Sequence, residues 1–103
     1  MVRWLLDTNV CVEILRGKVL GRRLPLPEQC GIPSIVAGEL WTGAQKSADP
    51  EAKRTQVSVF LRLFETVPFD ASAAEHYGEI RSHLEKAGTP IDPLDQLIAA
   101  QVT

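Results

Sequence analysis

Asp7, Glu39 and Asp95 are the residues whose type and position could do chemistry together. Asp7 closes a short apolar run from Val2 to Leu6. Glu39 stands five residues after Ser34, which opens a helical pattern. Asp95 falls in the first turn of the last helical segment. Carboxylates gathered at one point repel one another, and without a cation at least one of them holds its proton. A hard divalent cation removes that conflict. Mg²⁺ prefers oxygen ligands and keeps several waters, so two or three carboxylates suffice. A bound cation of this kind polarises a phosphodiester and lowers the pKa of a water it holds. No serine or histidine nucleophile is then needed.

Each acid also has a plainer reading. Asp7 before Thr8 suits a helix N-terminus through the helix dipole. Glu39 fits an exposed helix position. Asp92 and Asp95 read as a capping pair, with an acid at the third helical position. Asp92 is read as a cap rather than a ligand. His76 and His83 are seven residues apart on one helix. Two turns separate them by about 10 Å, too far to share one metal ion. They are read as surface or boundary residues, the alternative being an acid/base pair for metal-free RNA cleavage. Trp4 and Trp41 are read as core or interface residues rather than platforms for stacking bases.

The elements that must position these residues follow from pattern. Val2 to Leu6 reads as a buried parallel strand. Thr8 is expected to cap a helix over about residues 9–16, with Gly17 stopping it. Cys11, Ile14 and Leu15 give that helix an apolar stripe. Residues 18–29, with Pro25 and Pro27, read as a loop or a short irregular helix. Cys30 to Pro33 is a second strand, and Ser34 is expected to cap a helix to about Gln45. Asp49 with Pro50 marks the next helix start. Val57, Phe60, Leu61 and Phe64 form its apolar face, and Pro68 ends the segment. Val67 to Phe69 reads as a brief strand. Asp70 starts a helix carrying Tyr77, Ile80, Leu84 and Ala87, closed by Gly88 and Pro90. Asp92 to Asp95 opens the final helix. Strands alternating with helices imply an α/β fold on a parallel sheet. In such sheets ligands bind beyond the carboxyl ends of the strands. Asp7 stands at one such end, and the helices carrying Glu39 and Asp95 begin at the same edge.

The bulk numbers bound the answer. With 103 residues, 45% of them hydrophobic and 23% charged, the chain reads as one globular domain, residues 1–103. A net charge of −2 argues against a dedicated nucleic-acid coat. It permits a nuclease whose acidic pocket and basic contacts cancel in the sum. Arg16, Lys18, Arg22 and Arg23 are the densest basic stretch, read as a solvated loop. Cys11 and Cys30 form no CxxC pair and read as small buried hydrophobes in a reducing compartment. No run approaches the roughly 18 apolar residues of a membrane span. A cytoplasmic protein is expected.

The residues around the acids add a family resemblance. The stretches LLDTNV at 5–10, IPSIVAGELWTGAQKS at 32–47 and FDASAAEHYGEIRSHLEKAGTPIDPLDQLIAA at 69–100 resemble the motifs of PIN-domain toxins of the VapC type, in the same order. The resemblance covers nearly the whole chain. It implies a three-layer α/β/α fold and Mg²⁺- or Mn²⁺-dependent endoribonuclease activity on tRNA or rRNA. It implies Asp7, Glu39 and Asp95 as the acidic site, with Asp7 and Asp95 on the metal and Thr8 and Asn9 supporting the first acid by hydrogen bonds. It also implies a cognate antitoxin whose C-terminal segment lies over the site, and a homodimer. Family members continue beyond the last helix by about one further strand–helix unit. A chain closing at QVT is therefore expected to leave an unpaired edge near Val2 to Leu6 and to lack a fourth polar ligand.

Three functions compete on this evidence. The first is a metal-dependent ribonuclease toxin. The second is a catalytically impaired PIN domain that binds antitoxin or dimerises without cutting. The third is a metal-independent ribonuclease using His76 and His83.

Overall fold

The computed structural model describes residues 2–17, 26–88 and 92–102. Three short parallel strands form the sheet, in the order β1 (Trp4–Leu5), β2 (Cys30–Pro33), β3 (Glu65–Val67). Five helices connect and flank them: α1 (Thr8–Leu15), α2 (Ser34–Gln45), α3 (Pro50–Leu61), α4 (Ala71–Ala87) and α5 (Pro93–Val102). A 3₁₀ turn over Pro27–Gln29 leads into β2. The expected α/β fold with a parallel sheet is what forms.

The central strand explains the core. All four residues of β2 are buried, because the strand has a neighbour on each side. Gly31 pairs with Leu5 on one side and Glu65 on the other. A Cβ added there would lie 2.9 Å from a Val67 methyl and 3.0 Å from a Val2 methyl. Only glycine lets the strands and their side chains close to this distance. Ile32 and Cys30 from β2, Cys11 from α1, Val36, Ala37, Leu40 and Ala44 from α2, and Val57 and Phe60 from α3 form one cluster with Leu6. A right-handed crossover from each parallel strand to the next puts α1, α2 and α3 on a common face. Their mutual packing agrees.

Helix ends follow side-chain chemistry, with corrections to the expected caps. Asp49 caps α3 by accepting from the Ala52 N–H at 3.2 Å, with Pro50 at the first helical position. Asp70 caps α4 through the Ala73 N–H at 2.9 Å. Asp7, not Thr8, caps α1, its carboxylate accepting from the Val10 N–H at 2.9 Å. Ser34 is the first residue of α2 rather than its cap; Pro33 precedes it and offers no capping side chain. Gly17 and Gly88 end α1 and α4 with φ of 68° and 66°, as glycine readily does.

Strand lengths are shorter than the apolar runs suggest. β1 keeps only Trp4 and Leu5 of the expected Val2 to Leu6. The third strand lies over Glu65–Val67, two residues before the expected start. Register explains this: Val67 must face Pro33 at the end of β2, so the pairing residues precede it. The expected loop over 18–25 and Pro90 lie outside the described residues. The stripe of α4 is only half-buried at Tyr77, Ile80 and Leu84, and Ala87 is exposed. This helix packs chiefly on α5.

Candidate active site

The carboxyl ends of the three strands define one edge of the sheet, where Asp7, Ser34 and Pro68 follow β1, β2 and β3. Asp7 is exposed there. Its carboxylate caps α1, so the same bond that starts the helix fixes the acid at the edge. Glu39 lies in the second turn of α2 and is half-buried. Thr8 donates its hydroxyl proton to Glu39 Oε1 across 2.5 Å. That bond links α1 to α2 and holds the Glu39 carboxylate next to the residue that follows Asp7. Thr8 was expected to support the first acid; its hydroxyl supports the second instead. Asn9 is exposed in the first turn of α1.

Asp95 is exposed in the first turn of α5. Asp92 takes the capping role, with its Oδ1 accepting from the Leu94 N–H at 2.8 Å. Its backbone carbonyl accepts from the Gln96 N–H. The expectation that Asp92 is a cap is met, and Asp95 is not needed as one. Leu94, beside Asp95, lines a cavity of about 530 Å³ with Glu39, Gly38, Thr42 and Lys46. A second cavity of about 290 Å³ runs from Thr8 and Glu39 between α1 and α3, with Arg16 and Lys53 among its lining residues. Glu39 is common to both.

Cys11 lies beneath this edge with no exposed surface. Burial, and then the neighbouring Asp7 charge, push its thiol from 9.0 up to about 12. It is a neutral, inert packing group. Cys30 is also buried, and burial followed by the Glu28 charge raises its thiol. Neither cysteine is in a disulfide, as expected.

The donors at this part of the edge are hard oxygens: the Asp7 carboxylate at the start of α1, and the Glu39 carboxylate with the Thr8 hydroxyl that holds it. That chemistry suits Mg²⁺ or Mn²⁺. Among the described residues, however, no three His, Cys, Asp or Glu side chains stand close enough together to hold an ion. The expected three-carboxylate cage is not preformed. A cation that keeps most of its waters needs only one or two carboxylates, and Asp7 with the Thr8-anchored Glu39 offers that set.

Trp4 and Trp41 are 53% and 37% exposed, so neither belongs to the core. His83 is exposed, whereas His76 is half-buried beside Asp70 and Gln101 at a separate cavity. Sequence reasoning missed Lys46 and Lys53. Lys46 had a signal, for it stands two turns after Glu39 on the same helix face. Lys53 had none, because its place on a cavity shared with Glu39 depends on how α3 packs.

The PIN-domain family profile matches residues 4–103. The tRNA(fMet)-specific endonuclease VapC of Salmonella typhimurium is 39% identical over 96% of this chain and 77% of its own length. The enzyme of the same name from Shigella flexneri is 36% identical over the same shares. The crystal structure of DNA-bound VapBC from Salmonella typhimurium superposes with a TM-score of 0.84 at 34% identity, over 98% of this chain and 79% of that one. VapBC2 from Rickettsia felis, bound to a promoter DNA fragment, gives a TM-score of 0.79 at 31% identity, over 98% of this chain and 80% of that one. The chain belongs to the PIN-domain family and, within it, to the VapC ribonucleases.

Proposed function

We propose that this chain is a divalent-metal-dependent endoribonuclease toxin that hydrolyses an RNA phosphodiester. The observation that carries the reading is the Thr8–Glu39 bond, which ties a second carboxylate to the residue that follows Asp7. Asp7 and Glu39 would hold Mg²⁺ or Mn²⁺, joined by Asp95 from α5. When bound, the cation supplies electrophilic polarisation of the phosphodiester and a more acidic water.

The chain's own residues do the rest. Thr8 fixes the Glu39 carboxylate, and the Val10 N–H fixes that of Asp7. Arg16, Lys46 and Lys53 line the cavities that meet at Glu39, where their charge draws in a phosphate backbone. The names of the relatives point to tRNA(fMet) as the first substrate to try. The VapBC complexes point to a cognate antitoxin, and we extend both that partner and self-association to this chain. Buried cysteines outside any disulfide fit a reducing, cytoplasmic setting. Among the described residues no helix is long and apolar enough to cross a membrane.

Among the described residues no three-residue cluster is preformed, which favours one rival, a domain that binds antitoxin without cutting. Asp7→Asn separates the two. Cleavage of a tRNA(fMet) transcript is expected to fall by about 100-fold or more, the scale of losing a group that acts on the reacting centre. Antitoxin binding is expected to stay unchanged. Equal cleavage by parent and variant would remove Asp7 from the site.

A further inference from the structure

The side chain of Gln101, near the end of α5, is deeply buried, and the residue keeps only 9% of its surface. It makes three polar contacts at the edge of the sheet. Its Oε1 accepts from the Ile35 N–H at 3.2 Å. Its Nε2 donates to the Val67 carbonyl at 3.0 Å and lies 3.4 Å from Ser34 Oγ.

Pro33 makes this amide necessary. Helices begin with N–H groups that have no partner inside the helix. A serine, threonine or aspartate before α2 would satisfy one of them; Pro33 has no side chain able to do so. β2 also ends at Pro33, opposite Val67 in the sheet register, and the chain turns into α2 there. The end of the strand thus leaves a donor on α2 and an acceptor on β3 in want of partners. A primary amide can accept and donate at once. Gln101 answers both from a third element.

We infer that Gln101 is a positioning residue for the active site, holding the helix of Asp95 in register with the helix of Glu39. The inference rests on the metal-site reading proposed above. α5 packs mainly on α4, which buries only Ala73 completely, with further contacts to α2 and β2. Asp95 stands six residues before Gln101, roughly 9 Å along the axis at 1.5 Å per residue. A tilt of about 10° pivoting at Gln101 moves Asp95 by roughly 1.5 Å, beyond the ~0.5 Å within which catalytic groups must be held. The Gln101 clamp removes that freedom because two of its bonds, to the N–H of Ile35 and the carbonyl of Val67, reach two different elements.

The test compares the parent chain with Gln101→Leu, which keeps bulk and removes both polar functions. Three quantities are read: Mn²⁺ affinity by calorimetry, kcat and KM on a tRNA(fMet) transcript, and hydrogen exchange at the Ile35 amide of the parent with and without Mg²⁺. The variant is expected to bind Mn²⁺ about tenfold more weakly and to lose about tenfold in kcat, with KM held within about threefold. In the parent, saturating Mg²⁺ is expected to slow Ile35 exchange about tenfold, because an ion that needs the clamped arrangement stabilises it. Parent-like Mn²⁺ affinity in Gln101→Leu overturns the inference and leaves the metal site standing. A parent that binds no Mn²⁺ overturns the metal reading itself, and this inference with it. If Gln101→Leu fails to fold, the parent's Ile35 amide decides: slower exchange with Mg²⁺ supports the clamp, and unchanged exchange overturns it.

Discussion

Thr8 has one hydroxyl, and the fold directs it to Glu39 rather than to its neighbour Asp7. A hydrogen bond to a carboxylate contributes about 1.5–3 kcal/mol. Thr8→Val is therefore expected to lower stability by about 1–2 kcal/mol and kcat by about tenfold. Thr8→Ser is expected to keep both near the parent values. Denaturant melts and initial cleavage rates check this pair, and an active Thr8→Val would mean that Glu39 needs no anchor. Cys11 gives a pH prediction. Its thiol is raised from 9.0 to about 12 in the fold. A raised folded-state pKa contributes stability that is complete below the unfolded value and lost as pH rises through the folded one. Between pH 9 and 12 the parent's stability should thus fall more steeply than that of Cys11→Ala, by up to about one proton in the linkage slope. Equal slopes would show that Cys11 ionises freely. At this scale the sequence singled out Asp7 at a strand end and Glu39 inside a helix as candidates, and the structure ties Glu39 to Thr8. It was silent on where Thr8 points, because a threonine at a helix start serves as a cap or a tether equally well.

Elements were legible where local chemistry decides them. Asp49–Pro50 and Asp70 start helices in the sequence and in the structure. Cys30–Pro33 forms the expected strand, because a buried central strand is an unbroken apolar run. The edge strands were harder. β1 and β3 have one neighbour each, and their ends depend on register with β2 rather than on their own residues. The role of Pro33 was also hidden, since its lost cap is supplied by Gln101 from 66 residues away in the Ile35 bond. Gly31 belongs to this scale. Its missing Cβ would press on Val67 and Val2 at 2.9 and 3.0 Å. Gly31→Ala is expected to cost about 1–3 kcal/mol through overpacking, read as a lower denaturation midpoint with an unchanged slope. A neutral or stabilising outcome would mean that the strands separate without penalty.

For the whole molecule, the proposed site draws on three separate parts of the chain. Asp7 comes with β1 and α1, Glu39 with α2, and Asp95 with a helix that follows the last strand. Net charge of −2 is a sum that conceals local charge: Arg16 and Lys53 line one cavity at Glu39, and Lys46 lines the other. The central claim is that these acids form a metal-dependent nuclease site, and it is tested most directly by titrating the purified chain with Mg²⁺. Cleavage of a tRNA(fMet) transcript and thermal stability are followed in parallel, and EDTA is added at the end. Cleavage that rises with Mg²⁺, a melting temperature that rises with it by mass action, and loss of both on chelation are the predicted result. Cleavage that survives EDTA, or a melting curve indifferent to millimolar Mg²⁺, would contradict it.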